Sequence, residues 1–383
     1  MNNKVKSSSS FAVIILAISS LILTAIFFIV IGEITLDQIY KNDFKNSLKI
    51  VEKFNSPFIF TFYPNTQQIV GGKQASFNNL AFRRNSETEV EQANFRIISY
   101  GDSINFGYLV SDGEDYPNKL ESLFKTDQQK IEVINTARGS SPSIYAFHLQ
   151  EDLPKLKPNL VLLEIELSND LGDESLIRFA KRDSNGFPES LTSARYVVDF
   201  STRAQLATLP VNIPPITRSK LFYVAEQRFG NLANKIWPSD LLETNKYLFN
   251  LGFDRWLITE SSYKNAFESM FDTIASIQNF AKENNADFLL ILLPSKTALE
   301  SKPESNFALK LIEEAELKAK NRQINYISLY QDFKNQDLEH SFLDFCHPSA
   351  AGHDLIARRL KNYIETNYLP SIQTLVQVKT NHN

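Results

Sequence analysis

The chain has 383 residues, of which 43% are hydrophobic and 22% are charged, so its composition supports a packed core and does not indicate disorder. Its formal net charge of −4 argues against a general nucleic-acid-binding protein, which would carry a basic face. The single cysteine, Cys346, excludes an intrachain disulfide, and zinc sites built from CxxC pairs are also excluded.

The N-terminus contains an apolar stretch at residues 11–32, with no charged residue between Lys6 and Glu33. About 20 apolar residues are enough to cross a bilayer as a helix. A buried core helix is one alternative, but such helices normally keep a polar stripe. A cleaved signal peptide is the closer alternative, because residues 17–19, Ala-Ile-Ser, resemble a small-x-small cleavage site. Cleavage there would leave a strongly apolar new terminus, so we expect an uncleaved transmembrane anchor.

Charges on either side of this stretch predict its orientation. Lys4 and Lys6 precede it, whereas Glu33 and Asp37 follow it. The positive-inside rule therefore puts residues 1–10 in the cytoplasm and the rest of the chain outside, in the periplasm or the extracellular space.

Residues 33–94 are a mixed, fairly polar segment, which we interpret as a stalk with an N-terminal elaboration of the following domain. The sequence Gly71-Gly72-Lys73 within it lacks the GxxxxGK spacing of a phosphate-binding loop. We therefore predict an ordinary loop there.

After residue 94 the pattern becomes regular. Five short runs rich in Ile, Val and Leu predict buried strands, at 95–101, 131–137, 160–167, 288–293 and 324–330. Apolar residues at spacings of three and four predict helices at 264–284, 306–322 and 350–368. Strands that alternate with helices indicate an α/β domain, predicted at 95–369, with a parallel sheet covered on both faces.

The third and fourth predicted strands are separated by a long segment, residues 171–262, which contains both tryptophans and a predicted helix around 218–236. We interpret it as an insertion. It either shapes a binding site or is a packing embellishment, and the sequence favours neither. Residues 370–383 form a C-terminal tail.

Ligands of open parallel sheets bind beyond the carboxyl ends of the strands, so the residues after each strand are informative. Ser103 follows the first strand, and a serine hydroxyl needs a base and a group that orients that base. Among five histidines, His347 has the best position, because it precedes the last helix and lies three residues after Asp344. Backbone N–H groups of Ser103 and Gly139, and the Asn169 amide, are candidate donors to an oxyanion.

These residues resemble the four sequence blocks of the SGNH/GDSL hydrolase family, in its membrane-anchored bacterial form. The blocks are matched by YGDSINFGYLVSDGEDYPNKLE at 100–121, VINTARGSSPS at 133–143, ELSND at 166–170 and DFCHP at 344–348. In the second block Ser140 is an alternative to Gly139, and in the third block Leu167 stands where the family usually has glycine. The upstream FNNLAFRR, at 77–84, also resembles a segment of anchored members.

The resemblance implies a flavodoxin-like three-layer α/β/α sandwich with a five-stranded parallel sheet in the order 2-1-3-4-5. It implies Ser103, His347 and Asp344 as the catalytic triad, with Ser103, Gly139 and Asn169 as the oxyanion hole. It also implies metal-independent hydrolysis or transfer of acyl esters through an acyl-enzyme. We expect hydrolysis without a cofactor, of an ester on a cell-surface glycan or a lipid. The alternatives are an O-acyltransferase acting on a surface polysaccharide and a non-catalytic, anchored carbohydrate-binding module.

Overall fold

The structure is a computed structural model, and contacts divide the chain into two compact units, Met1–Asn46 with Val197–Asp240, and Ser47–Tyr196 with Leu241–Asn383. The residues that the structure describes are 5–39, 48–50, 60–83, 95–125, 131–136, 138, 141–167, 170–171, 174, 177–179, 182–189, 191–194, 260–300 and 303–369. The predicted helix around 218–236 lies outside them.

The described part of the first unit is one long helix, α1 (Val5–Ile39). Its segment Val13–Gly32 has a mean hydropathy of 3.0 and is long and apolar enough to cross a membrane. Length and composition alone do not distinguish an anchor from a signal sequence.

The second unit begins with four short strands that form two antiparallel pairs. They are β1 (Leu48–Ile50), β2 (Phe60–Phe62), β3 (Thr66–Val70) and β4 (Lys73–Phe77). The predicted loop at Gly71-Gly72 is the turn between β3 and β4. Phe62 and Phe77 stack with centroids 4.2 Å apart, and Phe62 also stacks on Phe106, so these strands pack onto the segment that follows the first predicted strand.

The centre of the second unit is a parallel sheet of five strands. Its strands are β5 (Phe95–Tyr100), β6 (Ile131–Asn135), β7 (Leu160–Glu166), β10 (Asp287–Leu293) and β11 (Tyr326–Ser328). The order β11-β10-β7-β5-β6 confirms the predicted order 2-1-3-4-5. Each strand formed where the Ile/Val/Leu run predicted it, because a strand covered on both faces needs apolar side chains at successive positions.

Helices cover both faces of this sheet. The helices before β10 are α2 (Ser103–Phe106), α3 (Tyr116–Phe124), α4 (Pro142–Leu156) and α5 (Glu260–Glu283). Those after β10 are α6 (Lys296–Leu299), α7 (Pro303–Asn321), α8 (Tyr330–Lys334), α9 (Leu338–Ser341) and α10 (Ala350–Asn367).

Side chains alternate along β7 between two apolar layers. Val161, Leu163 and Ile165 belong to the layer with α4, α5 and α7, whereas Leu160 and Leu162 belong to the layer with α3 and α10. Burying one such aliphatic side chain stabilises a fold by about 1.5–3 kcal/mol. The two layers therefore hold the helices on the sheet and confirm the three-layer α/β/α architecture.

The described part of the predicted insertion includes a short hairpin of β8 (Ile177–Phe179) and β9 (Leu191–Ala194). Near it, the Arg182 guanidinium donates to the Ser269 carbonyl at 3.0 Å and to Thr273 Oγ1 at 3.0 Å, both on α5. Arg182 therefore ties this portion of the insertion to α5. Residues 195–259 lie outside the described part.

The chain reverses its direction across the sheet at β5, because β6 lies on one side of β5 and β7 on the other. Such a switch point opens a crevice beyond the carboxyl ends of the strands. The residues that follow β5 are therefore at the position where the fold leaves room for a ligand.

Candidate active site

The turn that carries Ser103 is tightly built. Asp102 begins α2, and its Oδ1 accepts from the Ile104 N–H at 2.7 Å. Gly107 ends α2 with φ +82°, a left-handed conformation that favours glycine. A Cβ on Gly101 would lie 2.3 Å from Glu164 Oε2 and 2.5 Å from Asn105 Cβ. The GDS sequence therefore has a glycine where backbone and side chain approach closely, and a capping aspartate directly before the serine.

Asn105 joins this turn to the sheet through a buried polar network. Its Nδ2 donates to the Ser99 carbonyl at 3.0 Å, and its Oδ1 accepts from the Tyr116 hydroxyl at 2.5 Å. Asn135, at the end of β6, donates to the Asn105 carbonyl at 2.8 Å and to Asp115 Oδ1 at 3.0 Å. Because all of these groups are buried and bonded, the network holds α2 in one orientation.

Arg83 clamps the far end of the same turn, and the sequence reasoning did not single it out. Its buried guanidinium donates to the carbonyls of Phe106, Gly107 and Val110, with the last two distances at 2.6 Å and 2.8 Å. The guanidinium also lies 4.6 Å from the Phe106 ring centroid. Arg83 lies in the segment FNNLAFRR at 77–84, whose resemblance to anchored family members does not by itself indicate a role for this arginine.

The loop that carries His347 is stabilised by its own residues. Asp344 Oδ1 accepts from the backbone N–H groups of Cys346 at 3.0 Å and of His347 at 2.7 Å. The Leu343 N–H donates to the His347 carbonyl at 2.8 Å. Asp344 Oδ2 lies 2.7 Å from His347 Nδ1. The predicted Asp-x-x-His spacing therefore does bring the carboxylate onto the imidazole.

His347 and Ser103 are 244 residues apart in the chain, yet Ser103 Oγ lies 2.9 Å from His347 Nε2. The Asp344 carboxylate only accepts, so Nδ1 carries the proton that it receives, and Nε2 is left to accept from the serine hydroxyl. The three side chains form one hydrogen-bonded chain from carboxylate to hydroxyl. This arrangement is able to remove a proton from a serine.

Asp344 stays ionised easily. Partial burial alone would raise its pKa, but the backbone N–H groups of His347 and Cys346, followed by the imidazole, outweigh burial and hold the pKa below its ordinary value. An anion is therefore maintained beside Nδ1, where it stabilises an imidazolium when one forms.

Aromatic side chains flank the imidazole. The Tyr108 ring centroid lies 5.1 Å from that of His347, and the Phe345 ring meets it edge-on at 6.5 Å. Phe345 is 50% exposed and Leu343 is 51% exposed, so both offer apolar surface next to the site. Tyr108 also touches the β3–β4 turn, because a Cβ on Gly71 would lie 2.9 Å from its ring.

The predicted oxyanion donors Gly139 and Asn169, and the alternative Ser140, lie outside the described residues. Their neighbours are well fixed. Arg138 pairs with Asp152 and lies 4.9 Å from the Phe82 ring centroid. Asp170 accepts from the Glu166 N–H at 2.7 Å and from the Tyr145 hydroxyl at 3.2 Å. Arg138 and Asp170 are therefore each bonded to a residue of α4.

A second histidine, His353, lies in α10. It is fully buried, and its Nδ1 accepts from the Tyr116 N–H at 3.2 Å. Burial, with Arg83 and Lys119 nearby, lowers its pKa to about 3. It is thus a neutral core residue.

Metal-ligating atoms come together once in the described part of the chain, where donor atoms of Asp344, Cys346 and His347 lie within 4.8 Å of one another. These groups already bond one another and Ser103. Burial and the surrounding acids raise the pKa of the Cys346 thiol, which disfavours the thiolate that binds metals. The cluster therefore fits the hydrogen-bonded chain better than a metal.

No protein-family model and no curated protein matches the chain. Solved structures with similar folds include a GDSL-like lipase from Bacteroides thetaiotaomicron, at 14% identity over 71% of this chain and 89% of that one, with a TM-score of 0.34. A psychrotrophic esterase from Pseudoalteromonas sp. aligns at 12% identity over 71% and 97% of the two chains, with a TM-score of 0.39. A mutant acetyl-xylooligosaccharide esterase from Geobacillus aligns at 14% identity over 71% and 94%, with a TM-score of 0.40.

Proposed function

We propose that the protein is a membrane-tethered serine esterase of the SGNH/GDSL type, which hydrolyses an acyl ester outside the cytoplasm. One observation carries the proposal: Ser103 Oγ, His347 and Asp344 are joined by hydrogen bonds of 2.9 Å and 2.7 Å at the carboxyl edge of the sheet. A structural role alone gives no reason for a serine, an imidazole and a carboxylate to be aligned in this order.

The first half of the reaction acylates the serine. His347 Nε2 takes the Ser103 hydroxyl proton while Oγ attacks the ester carbonyl, and Asp344 stabilises the resulting imidazolium. The Ser103 N–H, the Gly139 N–H and the Asn169 amide are the proposed donors to the oxyanion. The imidazolium then gives its proton to the departing alcohol, which leaves an acyl-enzyme.

The second half returns the enzyme to its starting state. His347 takes a proton from water, the hydroxide attacks the acyl carbon, and the Ser103 oxygen leaves with the proton from His347. An alcohol in place of this water would give the acyltransferase reaction, so the same residues serve the alternative activity.

The tether is α1, with residues 1–10 in the cytoplasm and the second unit on the other side of the membrane. Support comes from the mean hydropathy of 3.0 over Val13–Gly32 and from Lys4 and Lys6 at its N-terminal side. Cys346 is buried, so engineered cysteines give an orientation test. A membrane-impermeant maleimide added to intact cells should react with the Asn383→Cys variant. The Asn3→Cys variant should react only after the cells are permeabilised. The reverse pattern contradicts the proposed orientation.

A domain held outside a membrane can reach O-acetylated surface glycans and lipids, and we propose the glycan ester. In the described part of the second unit, five large apolar side chains are exposed: Tyr63, Ile69, Leu317, Leu343 and Phe345. Only two of them, Leu343 and Phe345, belong to the loop that carries His347. An enzyme that binds a lipid surface usually has a broader apolar face.

Hydrolysis of p-nitrophenyl acetate by the full chain in detergent tests the esterase assignment. Ser103→Ala should lower kcat by several orders of magnitude. Ser111→Ala is the matched control, because its N–H donates to Glu114 Oε2 at 2.8 Å and alanine keeps that bond. If Ser103→Ala and wild type hydrolyse the ester equally, the proposal is wrong. If a fluorophosphonate also fails to label Ser103, a binding module is favoured.

Acetylated oligosaccharides and phospholipid vesicles, incubated with the same preparation, separate the substrates. Released acetate from the sugar supports the glycan ester, and released fatty acid contradicts it. Acyl transfer to an added oligosaccharide, detected by mass spectrometry, identifies the acyltransferase instead.

A further inference from the structure

Glu164 is a glutamate in the middle of the central strand β7, where an apolar residue is expected. It pairs with Ile291 of β10, and its side chain is fully buried. Leu160 and Leu162 precede it on the same side of the strand and belong to the layer with α3 and α10. The mechanism proposed above makes no use of this carboxyl group.

The carboxyl group of Glu164 is isolated from partners that would stabilise a negative charge. In the described part of the chain, neither of its oxygens has a hydrogen-bond partner. Burial, followed by the charges of Asp102 and Glu166, raises its pKa well above the ordinary value. The backbone N–H groups of Asn105 and Asp102 oppose this rise in part, although neither reaches hydrogen-bond geometry. Burial without a hydrogen-bond partner therefore favours the neutral carboxylic acid over the carboxylate.

The same carboxyl group touches the turn that carries the nucleophile. A Cβ on Gly101 would lie 2.3 Å from Glu164 Oε2 and 3.1 Å from Glu164 Cβ, so the Gly101 backbone rests directly on this side chain. Ser103 is two residues further along, after the Asp102 cap. Any movement or ionisation of Glu164 therefore acts on the turn that positions Ser103.

The titratable groups that interact with Glu164 come from several packed elements, and they share one property: all are acids. They are Asp102 of the turn that carries Ser103, Glu166 of β7, Tyr116 of α3, Tyr145 of α4 and Cys346 of the loop that carries His347. Its neighbour on β10 is the apolar Ile291. A negative charge on Glu164 would thus meet further acids and no cation among these groups.

We propose that Glu164 is a positioning residue that supports the Ser103 turn as a neutral acid, and that loss of its proton at alkaline pH disables the active site. The inference rests on the proposed esterase function. Ionisation of Glu164 would lower the activity in two ways. The carboxylate would attract the N–H groups of Asp102 and Asn105, which flank Ser103, and it would place a negative charge near the developing oxyanion.

Linkage gives this proposal a consequence for folding. Because the pKa of Glu164 is raised in the folded chain, the stability linked to it is fully present below the ordinary glutamate value of 4.5 and decreases as pH rises toward the folded value. Glu164→Gln keeps the shape and cannot ionise. Its free energy of unfolding should therefore rise relative to wild type as the pH increases.

The decisive measurement is kcat/KM for p-nitrophenyl acetate against pH, with the full chain in detergent. The wild-type profile should fall about tenfold per pH unit once Glu164 ionises. At a pH where wild type retains about a tenth of its maximum, Glu164→Gln should retain about half or more. A wild-type profile that stays flat until the protein unfolds, or an alkaline limb that Glu164→Gln leaves in place, overturns the proposal.

Three further variants separate Glu164 from its neighbours. Tyr116→Phe, Tyr145→Phe and Cys346→Ala remove the two phenols and the thiol among the groups that interact with Glu164. Each should leave the alkaline limb at its wild-type pH, and a variant that abolishes the limb transfers the effect to that residue and overturns the proposal. Circular dichroism at each pH verifies that the fold persists.

Wild-type infrared spectra keep the proposal testable if Glu164→Gln does not fold. The carbonyl band of a protonated carboxylic acid should disappear over the pH range in which activity falls; a spectrum with no such loss overturns the proposal. Fluorophosphonate labelling of Ser103 across the same range distinguishes the two levels of failure. Absence of labelling at every pH rejects the esterase, whereas labelling that remains constant into alkaline solution rejects only the role of Glu164.

Discussion

The nucleophile turn, residues 101–110, is named for the proposed role of Ser103, and the histidine loop is residues 342–349. A hydrogen bond between Ser103 and His347 joins them, but they are held in different ways. The turn depends on distant residues: the Arg83 clamp, the Asn135 amide and the Glu164 carboxyl. The histidine loop is held mainly by bonds within itself, from Asp344 to two N–H groups and between Leu343 and His347, with backbone bonds from outside that include the Lys296 N–H to the Phe345 carbonyl at 2.9 Å.

This difference separates chemistry from stability. A substitution inside the histidine loop should change the reaction more than the fold, because its bonds are local and partly exposed. A substitution in the support of the nucleophile turn should change both, because buried groups there lose their partners. Four predictions test the comparison.

Asp344→Asn should have the largest effect on the reaction and lower kcat by about 10³–10⁴-fold, because the amide no longer holds the imidazole in the tautomer that accepts from Ser103. The kinetics of ester hydrolysis by the full chain measure this. Asp332→Asn, which changes a surface ion pair with Arg359 at 3.3 Å, is the control and should retain activity. Activity of Asp344→Asn within about tenfold of wild type would contradict the assignment of Asp344.

Arg83→Met should destabilise the protein by about 3 kcal/mol, because it leaves buried carbonyl groups without donors at about 1–3 kcal/mol each. The kcat should fall as well, since these carbonyls end the turn that carries Ser103. Chemical unfolding and ester hydrolysis measure the two effects. Arg358→Met, which breaks an exposed pair with Asp354, is the control and should leave the free energy of unfolding unchanged. Equal stability of both variants would remove the contrast between turn and loop.

The acid stability of the histidine loop gives a smaller effect. The pKa of Asp344 is depressed in the folded chain, so its contribution to stability is present above the ordinary value of 3.8 and is lost as pH falls through the folded value. Wild type should therefore be more stable than Asp344→Asn at neutral pH, and the two unfolding free energies should converge in acid. A difference that grows as the pH falls would show that the N–H donors do not stabilise the carboxylate.

Phe345→Ser should have the smallest effect on stability, within about 0.5 kcal/mol, because half of this side chain is already exposed. His347 is the proposed proton donor to the departing alcohol, and the Phe345 ring centroid lies 6.5 Å from that of His347, so we expect Phe345 to contact a bulky alcohol. The KM for esters of bulky alcohols should rise about threefold or more, with little change for small alcohols. Leu317→Ser, another exposed apolar residue, is the control. Equal effects of Phe345→Ser on both kinds of ester would contradict this contact.

Local patterns made much of this molecule predictable. The five apolar runs predicted the strands to within a few residues, because strands covered on both faces must be apolar at successive positions. The spacing of Asp344 and His347 predicted their contact, since three residues in a loop bring the two groups together without help from the rest of the fold.

The surroundings of Ser103 were less predictable. Arg83 and Glu164 contact the nucleophile turn from distant parts of the chain, and no sequence pattern predicts either contact. Glu164 even interrupts the apolar run that correctly predicted β7. A periodic pattern reports burial, but it does not report which buried polar group meets which turn.

The sequence by itself determined the five strands of the parallel sheet, three of the helices that cover it, the apolar N-terminal helix and a short list of residues at the strand ends, because these depend on local periodicity and composition. The tertiary structure alone decided that the Ser103 hydroxyl and the His347 imidazole, 244 residues apart, would come within 2.9 Å of each other. It also decided that the Glu164 carboxyl group would lie against the turn that carries Ser103. Such contacts are set by how helices and strands pack in three dimensions, which no short stretch of chain encodes.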